Sequence, residues 1–241
     1  MDNKMTDSIN TKEGNKQVKD SFQAFLVKDA KFTPTEEYPI IENWMISKDK
    51  PEDIITFRES LKIHDPEKCK DFYVCTYEPD DEFERIRRNP KRYVKYFQKF
   101  AGLIGFDYSV HSDQPIIKQK SQMNDNLSLL YYFGNNGVNI IPNVRPGIDE
   151  LAEEYFKAFP KNTLVAIGTH GFVKTKAEKY EWYALLKMII ENLQPSGIID
   201  YGTLNGKMFD EIKKKVPIFT YDSWAEKKYK EGKKNGIKRT E

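Results

Sequence analysis

The chain has 241 residues, with 39 Lys and Arg against 37 Asp and Glu, so its formal net charge is only +2. No apolar run approaches the roughly 20 residues of a helical membrane span, and 13% aromatic residues exclude a chain that buries nothing. Two cysteines, Cys69 and Cys75, stand without a CxxC or a histidine pair, so neither a disulfide scaffold nor a metal site is expected.

In chain order, residues 1–35 read as a polar, mobile leader, partly helical over 18–28, with its first apolar anchors at Phe22, Phe25 and Leu26. The first residues, MDNKMTDSINTKEGNKQ, lack the apolar stretch of a secretory signal, which predicts a cytoplasmic protein with no membrane partner. A single α/β domain is expected over 36–224, and 225–241, with the run KKYKEGKKNGIKR, as a solvated basic tail.

Within the domain, short apolar β-rich runs alternate with helical patterns. The strand candidates are 38–44, 71–78, 102–110, 138–144, 163–171, 196–202 and 217–223. Several are apolar through their centres, the pattern of strands covered on both faces. The helical stretch 82–100 is predicted to break at Asn89 and Pro90, since proline favours the first helical position. Helices are also expected over 119–134, stopped by Gly137, and over 177–193, stopped by Pro195. Repeated strand–helix–strand units imply right-handed crossovers and a mostly parallel sheet. A partial or distorted (β/α) barrel is favoured over an open doubly wound sheet, because polar residues collect at nearly all the strand ends.

The segments FERIRRNPKRY (83–93), GFDYS (105–109), GVNIIPNVR (137–145), FPKNTLVAIGTHG (159–171) and IIDYG (198–202) carry a family likeness. The stretch from about Tyr38 to Ser223 resembles domain-of-unknown-function family 4417, found in phages, plasmids and other mobile elements of Gram-positive bacteria. The resemblance implies a mobile-element protein in a bacterial host and carries no chemistry with it.

Parallel strands deliver their C-terminal ends to one face. Those ends would gather Asn43, Glu78, Asp107, Ser109, Asn143, Arg145, Thr169, His170, Tyr201 and Asp222. From this set His170, Asp107, Arg145 and Tyr201 are the candidate catalytic residues: a base, a carboxylate, an anion-binding cation and a phenol, suited to acid–base hydrolysis or glycosidic cleavage. Each has a structural alternative. His170, flanked by Gly168 and Gly171, can hold a loop carbonyl; Asp107 can cap the turn after its strand; Arg145 can pair with Asp149 or Glu150. No GxGxxG, GxxxxGK[ST] or GxSxG pattern occurs, so dinucleotide, P-loop and nucleophile-elbow chemistry have no support, and the residues assign no particular cofactor.

A second candidate surface is RIRRNPKRYVKYFQKF, which places Arg85, Arg87, Arg88, Lys91, Arg92, Lys95 and Lys99 within 15 positions. Cations clustered in this way track phosphates, although a solvated outer helix face looks the same in sequence. The reading is therefore a protein acting hydrolytically on nucleic acid or nucleotides at the strand ends. The alternative is a non-enzymatic protein that holds DNA, RNA or a host protein.

Overall fold

Seven short strands, each preceding a helix, build the central layer of the molecule. The structure, a computed structural model, describes residues 8–10, 17–20, 23–147, 149–171 and 173–237. Near the start, β1 (Ser8–Asn10) and β2 (Gln17–Lys19) form an antiparallel ladder, followed by a 3-10 turn at Ala24–Val27. Then come β3 (Asp53–Thr56), α1 (Phe57–Ser60), α2 (Pro66–Cys69), β4 (Phe72–Cys75), α3 (Asp80–Arg88), α4 (Pro90–Phe97) and β5 (Gly102–Gly105). Next are α5 (Ile116–Asn135), β6 (Ile140–Pro142), α6 (Asp149–Phe156), β7 (Leu164–Gly168) and α7 (Lys176–Leu193). The chain continues through β8 (Gly197–Tyr201), α8 (Asp210–Lys215), β9 (Ile218–Tyr221) and α9 (Trp224–Ile237).

Strands β3 to β6 are parallel and neighbour one another in sequence order, and β7 to β9 do the same. A parallel bridge between Asn143 and Ala166 joins the two sets, with the Val144 amide donating to the Ala166 carbonyl at 2.9 Å. The expected parallel α/β order of strands near 102, 138, 163 and 197 is thus what the chain adopts.

Two apolar layers explain why the strands read as continuous hydrophobic runs. One cluster takes side chains from all seven strands: Ile54, Tyr73, Cys75, Ile104, Ile141, Ala166, Ile199 and Tyr201, with Phe219 against them. The other lies between the sheet and its helices and includes Phe57, Phe83, Phe97, Leu103, Phe133, Ile140, Val165, Ile189 and Ile198. Alternate residues of each strand therefore enter opposite layers, the period-two consequence of the pleat. Among the described residues no ladder joins β3 to β9, so the wall is left unclosed by backbone bonds. Side chains span that seam. The Tyr221 hydroxyl donates to the Pro51 carbonyl, and Lys227 of α9 donates to Asp53 at 2.6 Å and to the Ile54 carbonyl at 2.8 Å.

Helix boundaries follow local chemistry. Pro90 occupies the first turn of α4, and Asn89 separates it from α3, though the Asn89 side chain makes no cap bond. A reciprocal Thr175–Glu178 capping box starts α7, satisfying otherwise orphaned amides. Gly137, at φ 76°, lets the chain leave α5 through left-handed space.

The expected strand over 38–44 does not form. Pro39 makes a single antiparallel bridge to Phe32, and Asn43–Met45 is a 3-10 turn. Proline cannot donate to a ladder, and Tyr38, Ile41 and Met45 spend their apolar surface in the helix-side cluster. Strand β3 takes the vacant place. Its DIIT holds only two strongly apolar residues between charged flanks, which hid it. In the leader, the described part of 18–28 is strand to Lys19 and a short 3-10 helix over Ala24–Val27, so the segment is helical only in its second half; residues 1–7, 11–16 and 21–22 lie outside the described residues. The basic run after Ser223 is helical to Ile237, and residues 238–241 lie outside the described residues. Both cysteines are buried and unbonded to each other, and no described helix is long and apolar enough to cross a membrane.

Candidate functional site

The register places Thr56, Cys75, Ile104 and Ile141 side by side, and Gly168, Tyr201 and Tyr221 likewise. Residues just beyond these positions emerge on one end of the sheet, and there a cleft opens in two lobes. A lobe of about 400 Å³ is walled by Thr56, Arg58, Glu59, Lys62, Tyr201, Trp224 and Ala225. A smaller one of about 260 Å³ is walled by Asp107, Ser109, His111, Arg145 and Gly168. Tyr77, Glu78, Pro79 and His170 line both and form the wall between them.

The smaller lobe is built on the loop after β5. Thr76 accepts the Asp107 amide at 3.0 Å, and buried Asn126 of α5 clasps Tyr108 through both its amide, at 2.8 Å, and its carbonyl, at 3.1 Å. Asp80, in the first turn of α3, accepts from the Ser109 amide and hydroxyl at 3.3 Å. Three elements thus hold the loop, and its carboxylate is presented with little freedom. Asp107 accepts from Arg145 through both oxygens, at 3.1 and 3.0 Å, and from Asn143 at 2.8 Å. Asn143 in turn accepts from the Tyr77 hydroxyl at 2.9 Å.

Burial pushes the Asp107 carboxyl above its usual range, with Arg145 and Asn143 pulling against it. Burial also works against the Arg145 charge, and the adjacent carboxylate more than offsets this, so the guanidinium is held charged. Charge-assisted bonds of this kind are about twice as strong as neutral ones.

The dividing wall follows from β4 and β7. Gly168 has no side chain where a Cβ would lie 2.6 Å from the Tyr77 ring, so that ring lies against the end of β7. Tyr77 stacks on Tyr201 with centroids 5.2 Å apart and planes 18° from parallel. His170 follows Gly168 by two residues; its amide and that of Thr169 both donate to the Tyr201 carbonyl, at 3.1 and 3.0 Å. Below it, fully buried Asp200 accepts from Thr169 at 2.6 Å, the Leu204 amide at 3.1 Å and Thr220 at 3.3 Å, locking the ends of β7, β8 and β9. The His170 side chain itself is exposed to the cleft. Glu78 accepts the Arg58 amide at 3.1 Å, and burial raises its carboxyl, opposed by its bonds to Thr56 and Arg58.

Of the four candidate catalytic residues, Asp107, Arg145 and His170 meet around the smaller lobe. Arg145 pairs with Asp107, 38 positions away in sequence. Tyr201 contributes its ring to the larger lobe, but its hydroxyl accepts the Trp224 amide at 2.9 Å and the residue is 1% exposed. Burial raises its phenol further. Its role in the site is therefore a packing face. Asn43 lies in the 3-10 turn and so stands at no strand end. Asp222 pairs with Lys230 and lines neither lobe. Sequence reading left out Arg58, Glu59 and Lys62, which follow the unrecognised β3, and also Tyr77 and Trp224. Tyr77 sat in plain view, one residue before Glu78 in the run 71–78.

All seven cations of the basic segment are exposed, and none lines either lobe. Several are engaged with neighbours. Arg87 donates to Glu84 at 2.7 Å, Arg88 lies 3.6 Å from the same carboxylate, Arg85 sits 4.9 Å over the Phe57 ring and Lys91 4.8 Å over Phe25. No group of three or more His, Cys, Asp or Glu among the described residues is placed to hold a metal ion.

No curated protein and no solved structure matches the chain. A family model matches residues 35–222, the stretch that holds the parallel strands and all of the cleft except the first turn of α9, and by it the chain belongs to the domain-of-unknown-function family DUF4417.

Proposed function

We propose that the two-lobed cleft binds a nucleotide, free or at the end of a nucleic-acid strand, and acts on it hydrolytically. The observation that carries this reading is the dividing wall: Glu78 and His170 stand between a lobe faced with tyrosine and tryptophan rings and a lobe holding the Asp107–Arg145 pair. Rings suit a flat base, polar groups suit a sugar phosphate, and an acid and an imidazole stand where a bond between them would lie. Arg58 and Lys62 at the edge of the larger lobe add cations for a phosphate.

The test is obstruction. Ala225 is an exposed residue lining the larger lobe, so Ala225→Trp fills the lobe without touching the core. Calorimetric titration with nucleoside phosphates and short single-stranded oligonucleotides should show saturable binding to the wild type, weakened about tenfold or more in the variant, which is at least about 1.4 kcal/mol. Unaltered binding in the filled variant removes the cleft from consideration.

A second reading, non-enzymatic binding of DNA, RNA or a host protein on α3 and α4, is favoured by the exposure of all seven cations there. It has its own signature. Replacing Arg87, Arg88, Lys91 and Lys95 with alanine should flatten the salt dependence of nucleic-acid affinity by about 0.7–0.9 per lost phosphate contact. An unchanged slope leaves this face as solvated surface. The mobile-element context and the bacterial host belong to the same proposal and rest on the sequence resemblance, while a place in the cytoplasm rests on the polar first residues.

A further inference from the structure

The two lobes differ in chemistry, and the wall they share carries one carboxyl, that of Glu78. In the larger lobe the half-buried Tyr77 ring is backed by the buried Tyr201 ring stacked against it, and Trp224 lines the same lobe at 46% exposed. Aromatic faces of this kind hold nucleobases by stacking, with little dependence on which base is present. The smaller lobe offers Ser109, His111, His170 and the Asp107–Arg145 pair, groups that hydrogen-bond hydroxyls and anions. A base in one and a sugar phosphate in the other are joined by a single bond, from the anomeric carbon to a ring nitrogen.

We propose that this cleft hydrolyses the N-glycosidic bond of a nucleotide, with Glu78 as the catalytic acid and Asp107 as a positioning residue that holds Arg145 against the sugar phosphate. The proposal rests on the nucleotide reading above and names its reaction. The bond from the anomeric carbon to nitrogen breaks, its electron pair stays with the base, and the ring nitrogen takes the Glu78 proton. Water adds its oxygen to the anomeric carbon and returns one proton to the Glu78 carboxylate. The products are a free base and a sugar phosphate, with no change of oxidation state. Glycoside cleavage runs through a cationic sugar and is served by paired carboxyl groups; Glu78 lines both lobes, and burial raises its carboxyl, the direction an acid donor needs.

The full chain is incubated with a panel of nucleoside 5′-monophosphates and the products are separated by chromatography. Free base and sugar phosphate should appear in equal amounts. Glu78→Gln should lower that release by about 100-fold or more while nucleotide affinity changes by less than about threefold. Trp224→Ala should weaken nucleotide affinity by about tenfold, and Glu78→Asp, which keeps a proton to donate, should retain measurable release. Melting curves of each variant establish that it is folded; if Glu78→Gln does not fold, the Glu78→Asp rate and the wild-type products decide. Inorganic phosphate or nucleoside in place of free base overturns the assignment of the bond, as does a wild type that binds nucleotides and releases no base. Full release by Glu78→Gln overturns the role of that carboxyl. A wild type that binds no nucleotide at all is a different result, because it overturns the nucleotide reading itself.

Discussion

Replacing Arg145 with alanine should lower the unfolding free energy by about 3–5 kcal/mol, the cost of leaving a buried carboxylate without its partner. The side chains of Arg145 and Asp107 are only 25% and 13% exposed, and both carboxylate oxygens accept from one guanidinium nitrogen. Asp107→Ala should also destabilise, since it removes the carboxylate that accepts from Arg145 and from Asn143. The two changes share one interaction, so the double variant should be more stable than the sum of the singles predicts, by about 1–3 kcal/mol. Denaturant titration of the four proteins measures this. Additive single effects, each under about 1 kcal/mol, would mean that the pair is solvated, and the loop after β5 would then lose its main tie to β6. The consequence for function is direct: loss of activity in an Asp107 or Arg145 variant has to be read beside its stability.

A second large effect is expected from the smallest substitution available, Gly202→Ala. Gly202 lies just past β8 at φ 133°, where side chains are rarely tolerated. An added Cβ would fall 2.5 Å from the His170 amide nitrogen and 2.7 Å from the Thr169 hydroxyl. Backbone strain of about 1–3 kcal/mol and overpacking of about 1–3 kcal/mol act together, so thermal unfolding should move down by several degrees or more. The clash is with backbone that cannot rotate away, and relief requires the Thr169–His170 turn to shift. Ligand affinity should therefore fall along with stability. A stable Gly202→Ala protein with unaltered binding would show that the His170 turn can move without penalty and is not part of the site.

The difference between these two positions shows what kinds of information a chain carries on its face. The parallel α/β layout was legible because its cause is local. Leu103 and Ile104, or Ile198 and Ile199, stand side by side and are all fully buried, as in a short strand covered on both faces. The break at Asn89 and Pro90 was legible because proline dictates its own backbone angle and lacks a donor. That Asp107, Arg145 and His170 share a lobe was legible for the same reason at one remove, since parallel strands carry their C-terminal ends to one face.

What stayed hidden depended on partners distant in sequence. Two apolar residues do not announce a strand, and β3 exists because β4 offers its whole edge to Asp53–Thr56; with it came Arg58, Glu59 and Lys62. Asp107 lies 38 positions from Arg145 in sequence and is brought to it by the pairing of β5 with β6. Tyr201 read as a phenol available for chemistry, until the first turn of α9 donated its Trp224 amide to that oxygen. By itself, then, the sequence determined the alternation of strands and helices, their shared direction and the end of the sheet where polar groups collect, because periodicity and proline act within a few residues. Only the tertiary structure decided which of those groups are neutralised by one another and which line the cleft, because a side chain's charge, burial and hydrogen bonds are set by neighbours that folding alone brings together.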